Sequence, residues 1–307
     1  MTSSSSTMPW RTAEIFVRHP LVERYSPLAT TVLALIAIWY VAALAMNWAL
    51  VRDGFEREET PYAVADVVAG AMSAERPLLP APHQVVAAFL DGVFGYPPLA
   101  PRSLVYHSLV TVSATILGFV LGTLFGIVLA LLIVHSRVLE RSLLPWIICS
   151  QMVPIVALAP IFIVVLGAIG LQGLLPKAII SAYLCFFPIT IGMVKGFSSP
   201  DTLQIELMRT WSATPRQMLW KLRWPSAVPY LFASLKVAIT ISLIGAIVAE
   251  LPTGAEAGIG ARLLAGSYYG QTVQLWAALV ASAVLSSGLI ALVSLIERGV
   301  ARRMGAH

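Results

Sequence analysis

Two stretches of this chain, Leu28 to Leu50 and Ser108 to Val134, run for 23 and 27 residues without a charged side chain. Lipid offers a peptide backbone no hydrogen-bond partner, so a segment crossing a hydrocarbon layer about 30 Å thick must close its own bonds as a helix of roughly 20 apolar residues. Composition extends the argument to the whole chain. Only 11% of the 307 residues are Asp, Glu, Lys or Arg, where a soluble domain carries about 25%. A water-soluble globule would lack the charge to cover itself, and the reading is an all-α integral membrane protein.

Four further spans follow. The 35 residues between Arg141 and Lys177 are uncharged but interrupted by Gly167, Gly170 and Gly173. They divide into a third helix near Ser142 to Leu166 and a fourth near Leu174 to Val194, with Lys177 placed to snorkel into the headgroups. The fifth runs from about Leu231 to Leu251 and holds Lys236 and Glu250; the sixth runs from about Thr272 to Ile296. An even count puts both termini on one side. Lys and Arg resist translocation, and with the termini inside, the cytoplasmic segments hold 14 of the 20 basic residues against six acids, a balance of +8. The outer side keeps six bases against nine acids, or −3. The topology is N-in, C-in.

The expected organisation is a cytoplasmic segment at 1–27, a first span at 28–51, an outer loop at 52–103, a five-helix core at 104–297 that includes a cytoplasmic loop at 196–230, and a tail at 298–307. The first apolar run is too long for the 7 to 15 residues of a signal-peptide core, so it reads as an uncleaved span despite the tripeptide Ala43, Leu44, Ala45. Residues 1–27 read as an irregular start that turns into a short interfacial helix. His83 to Phe94 reads as a short amphipathic helix along the outer surface. The outer segment Leu251 to Gly260, followed by Ser267 to Gly270, reads as a re-entrant turn whose glycines crowd the pore mouth.

Two cysteines inside apolar runs, Cys149 and Cys185, and five scattered histidines make neither a disulfide framework nor a metal site. A phosphate-cradling G-x-x-x-x-G-K-[ST] stretch is absent, as is any Ser-His-Asp or paired-carboxylate arrangement on one side. The chain is read as a non-enzyme. A secondary transporter or channel driven by an ion gradient would show paired acids or an Asp/Glu/His relay in mid-membrane, and the sequence supplies none.

The cytoplasmic loop from Gly196 to Tyr230 is long among otherwise short connections, which points to function. Its pattern is a helix over Thr202 to Ser212, a turn at Ala213 to Pro215, and a second helix over Arg216 to Trp224, with Pro215 suited to a first helical turn. Here the chain resembles the permease subunits of type I ABC importers of the binding-protein-dependent transport family. Their loop carries Glu-Ala-Ala, a Gly six residues after the Glu, an apolar residue ten further on, and Leu-Pro. In this chain the pattern reads Glu206, Leu207, Met208, then Ser212, Ala213, then Leu222, then Trp224, Pro225. The spacing fits, with Ser212 in the glycine position and Trp224 in the leucine position. Further likeness is to the nitrate, sulfonate and taurine branch: Leu79 to Pro82, the Gly-rich second span, Val153 to Pro160, Phe186 to Ile189 and Ile247 to Glu250, together about residues 79–300.

That resemblance implies a six-helix permease fold and a coupling helix seated on a separate ATPase. Glu206 and Arg209 would make polar contacts there, Met208 and Trp211 would anchor, Ser212 and Ala213 would mark the turn, and Pro225 would close the motif. It implies a homodimer with two ATPase subunits and one extracytoplasmic solute-binding protein, in the bacterial inner membrane. No cofactor would be bound by this chain; ATP and Mg would sit on the ATPase. The solute would be a nitrate-, sulfonate- or taurine-like anion or a pyrimidine-type vitamin precursor.

Within the spans, Gly118, Gly122 and Gly126 line one helix stripe, a packing signal that could also face a pore. Gln151, Met152 and Pro154 are candidates for the substrate path, because a proline in mid-membrane frees carbonyls that need protein or water beside them. Glu250, the one carboxylate within reach of the bilayer, is a candidate gate or cavity rim.

Overall fold

The computed structural model describes residues 20–252 and 257–304, with side chains from residue 27 onward. The expected irregular start lies mostly outside them, and so does part of the expected outer turn, residues 253–256. The chain divides into two units at residue 72.

The first unit holds α1 (Pro20–Arg57) and most of α2 (Val64–Ser73). α1 contains the expected first span, lengthened at both ends. α2 lies within the expected outer loop and packs on α1 through small residues: a Cβ on Gly70 would stand 2.7 Å from Val51 Cγ1. The buried Asn47 amide donates to Ala71 O at 3.2 Å.

The second unit begins with α3 (Pro82–Phe94), the expected amphipathic helix. Its buried side sets Ala88, Phe89 and Val93 against a cluster of Leu104, Ile259, Ala277, Ala278 and Ala281. Then come α4 (Leu104–His135), α5 (Arg137–Ser150), α6 (Ile155–Ala168) and α7 (Leu174–Phe197). The cytoplasmic loop carries α8 (Thr202–Thr210) and α9 (Pro215–Met218). A π-helical turn, Leu219–Arg223, leads into α10 (Trp224–Glu250), followed by α11 (Ile259–Tyr268) and α12 (Thr272–Arg303). α1, α4, α7, α12 and the continuous run from Pro215 to Glu250 are each long and apolar enough to cross a membrane.

The third span departs from expectation. Instead of one helix over 142–166, α5 and α6 meet at a bend of 98°, and together they pass as a sixth span. Pro154 has no N–H to continue α5, and a proline disfavours helical backbone at the residue before it, so the chain breaks over Gln151 to Pro154. A carbonyl freed by the break, Ser150 O, accepts from the Tyr183 hydroxyl of α7.

The centre is the trio α4, α7 and α10. A Cβ on Gly118, Gly122 or Gly126 would stand 2.6 Å from Ala178 O, 2.8 Å from Ala182 O or 2.8 Å from Phe186 O. The glycine stripe is therefore a packing surface on which α7 lies backbone to backbone. Gly245 of α10 also closes on α7, where a Cβ would be 2.9 Å from Ser181 Cα. Ser181 Oγ donates to Ser242 O at 2.7 Å and Ser242 Oγ to Thr115 O at 2.9 Å, so one buried hydroxyl chain ties all three helices. In hydrocarbon such bonds have little competition from water.

Candidate coupling loop and outer polar network

α8 starts at Asp201, whose backbone N–H is met by the Gln204 side chain at 3.3 Å. It ends in a two-bond cap: Ser212 N–H donates to Arg209 O at 2.8 Å and Ala213 N–H to Met208 O at 3.0 Å. That pattern requires a left-handed residue, usually glycine, just beyond the helix. Ser212 takes that role with φ of 52°, so the glycine position keeps the glycine conformation with a serine in it. Thr214 then caps α9 reciprocally with Gln217, at 2.8 and 3.3 Å, and Pro215 takes the first turn.

No residue of α8 is buried. Leu203 is 72% exposed, Leu207 is exposed, and Trp211 is again 72% exposed; at i, i+4 and i+8 they form one apolar stripe on the surface. Glu206 and Arg209 are also exposed, while Met208 and Ala213 are half-buried and Pro225 is half-buried at the start of α10. Glu206 and Arg209 have no ion-pair partner among the described residues, and they do not pair with each other.

At the break, Gln151 is half-buried and Met152 and Pro154 are exposed. Among the described residues the Gln151 side-chain amide bonds only its neighbour Ser150 Oγ, at 3.3 Å.

Glu250 lies at the outer end of α10, completely buried. Its Oε1 is 3.5 Å from Lys177 Nζ, and its Oε2 accepts from Gly260 N–H at 2.9 Å. Thr111 Oγ1 is 3.0 Å from both carboxylate oxygens and accepts from Ile259 N–H at 2.8 Å. Lys177 also donates to Ala257 O at 3.2 Å. His107 Nδ1 accepts from Gly258 N–H at 3.0 Å, which leaves the ring proton on Nε2 to reach Pro101 O at 2.9 Å.

Two expectations change here. Lys177 does not snorkel; it is buried beside a buried carboxylate, because a paired charge is far cheaper to bury than a lone one. The outer segment, where described, is not only an irregular turn: it becomes α11, whose first N–H groups are met by side chains of α4 and α10. Sequence reasoning missed Lys177, Thr111 and His107 as partners of this network, since residues 70 to 150 positions apart carry no local sign of meeting. Lys236, by contrast, finds Glu297 of α12 at 2.5 Å, with both partly exposed.

Residues 122–306 match the family described as the inner membrane component of binding-protein-dependent transport systems. The chain belongs to that family, as a type I ABC importer permease for small solutes in the bacterial inner membrane. Among its relatives, the formylaminopyrimidine transport permease protein ThiX of Halalkalibacterium halodurans is 33% identical over 60% of this chain and 68% of that protein. The riboflavin transport system permease protein RibX of Chloroflexus aurantiacus is 31% identical over 73% of this chain and 80% of its own length. The putative aliphatic sulfonates transport permease protein SsuC of Bacillus subtilis is 26% identical over 77% and 82%. The family implies ATPase partners and a binding protein.

Proposed function

We propose that this chain is one half of the membrane pathway of an ATP-driven importer, and that it is driven through the loop from Glu206 to Pro225. The observation that carries the reading is the surface of α8. Leu203, Leu207 and Trp211 face outward in one stripe beside Glu206 and Arg209, which have no ion-pair partner among the described residues. A free helix with an apolar stripe and unpaired charges fits the groove of a second protein. The capped Ser212 and Ala213 turn holds it at a fixed angle to α10, so that a push on α8 moves a membrane helix as a rigid body.

The remaining assignments rest on the family and on charge placement. The basic balance of the loops favours termini and α8 in the cytoplasm. Two copies form the pathway, two ATPase subunits supply hydrolysis with their own ATP and Mg, and an extracytoplasmic binding protein delivers the solute. A broken helix beside a water-filled path is a common transporter device, and it supports Gln151, Met152 and Pro154 as path residues. Glu250 then works as a rim element that fixes α11 to α10. Within the range that the motifs suggest, a nitrate-, sulfonate- or taurine-like anion or a pyrimidine-type vitamin precursor, the relatives named for formylaminopyrimidine and aliphatic sulfonates favour the pyrimidine and the sulfonate.

The test is co-purification with the co-encoded ATPase. Glu206→Lys and Trp211→Ala are expected to release the ATPase and abolish uptake while the isolated permease keeps its unfolding midpoint. A truncated anchor at such a site weakens binding by about 2 kcal/mol or more. Retention of the ATPase and of uptake in both variants would overturn the loop's role.

A further inference from the structure

A polar cavity of about 350 Å³ opens on the outer side of the second unit, between the last turn of α3, the turn at 95–103, α11 and the start of α12. Its walls include Asp91, Tyr96, Arg102, Arg262, Gln271 and Gln274. Ligand cavities typically start at about 300 Å³ and carry a few convergent polar groups. Two guanidinium groups face a single carboxylate here. Neither arginine has an ion-pair or hydrogen-bonding side-chain partner among the described residues.

The backbone segments that carry the two arginines are tied to one imidazole. His107 Nε2 binds Pro101 O, the residue before Arg102. His107 Nδ1 accepts from Gly258 N–H, and Gly258 O in turn accepts from Arg262 N–H at 3.2 Å. Buried His107 thus bridges the two backbone segments that carry the charges, and both segments are anchored to α4. Burial pulls the Arg262 guanidinium below its ordinary value. With two guanidinium groups against the one Asp91 carboxylate the lining carries a net positive charge, and a bound anion offsets both that charge and the desolvation of Arg262.

We propose that this cavity is a binding site for a small free oxyanion, a carboxylate or sulfonate, gripped by Arg102 and Arg262 with Tyr96, Gln271 and Gln274 as neutral hydrogen-bond partners. Guanidinium groups match the paired oxygens of such anions. Because Arg262 sits in the first turn of α11, whose N–H groups are tied to Glu250 and Thr111, occupancy also bears on the end of α10. The site goes beyond the importer reading and does not depend on it, since binding can be measured with no nucleotide and no partner chain.

The test uses the full chain in phosphatidylcholine nanodiscs, with sodium methanesulfonate and sodium acetate as probes and sodium chloride at equal ionic strength as reference. A saturable rise in unfolding midpoint over chloride is expected. Arg262→Gln should weaken the apparent affinity at least tenfold and Arg102→Gln at least threefold, while Arg57→Gln, in the first unit, leaves it unchanged. Arg102 lies on an exposed turn, so its variant decides the matter even if Arg262→Gln fails to fold. A wild-type response equal to that in chloride, or wild-type affinity in the arginine variants that fold, overturns the site. A response present in phosphatidylcholine but lost in phosphatidylglycerol discs would assign the cavity to a lipid headgroup and overturn the free-anion occupant.

Discussion

α10 makes two ion pairs of the same chemistry in different surroundings. At its outer end Glu250 meets Lys177, with side chains 0% and 11% exposed. Further toward the cytoplasm Lys236 meets Glu297, with side chains 35% and 31% exposed. The second pair is the shorter, 2.5 Å against 3.5 Å, yet distance does not rank them. A buried charge that loses its partner keeps its full desolvation penalty, whereas a half-exposed one recovers water. Glu250 is also held by Thr111 and Gly260, so its pair is one element of a junction among α4, α7, α10 and α11. The inner pair joins only α10 to α12. What α10 carries at its outer end is locked, and what precedes it on the cytoplasmic side, the exposed α8, is left open to a partner.

The buried pair is most vulnerable at Lys177. Lys177→Ala leaves Glu250 buried without its counter-ion, and a loss of about 3–5 kcal/mol of stability is expected in mixed-micelle unfolding. The pair Lys177→Met with Glu250→Gln should lose clearly less; an equal loss would mean that the charges are not what matters. At the open end, Ser212→Gly should stabilise the α8 cap by about 1 kcal/mol, since a left-handed serine is strained where glycine is not. Slower amide exchange at Ala213, whose N–H closes the cap on Met208 O, would register that gain, and unchanged or faster exchange would contradict it. The smallest effect is expected at the inner pair. Lys236→Met should shift stability by no more than about 1 kcal/mol, and a loss as large as that of Lys177→Ala would erase the distinction between the two pairs.

Some of these features are legible in the amino-acid sequence alone. The uncharged runs lie wholly inside α1 and α4, because a long apolar segment has no other way to satisfy its backbone in lipid. Asp201, Thr214 and Pro215 announce the loop's helices, since caps and first-turn prolines act locally. Gly118, Gly122 and Gly126 announce a close approach, though not that α7 fills it. Pro154 is visible, but its effect is not. A proline can kink a helix or break it, and only the packing of α6 and the Tyr183 hydroxyl decide that the chain turns by 98° there. α11 is illegible for a related reason: its first N–H groups are met by Thr111 and Glu250, far away in the chain.

Hydrophobic length, charge asymmetry and capping chemistry operate over a few turns, and they are enough to dictate a bundle of membrane helices with a capped cytoplasmic helix pair. Tertiary structure alone decided that Lys177 belongs to Glu250, that Ser212 accepts the left-handed turn, and that Arg102 and Arg262 share one cavity. Those outcomes depend on which distant groups desolvate one another, and the free energy of a buried polar group is set by its neighbours in space rather than in the chain.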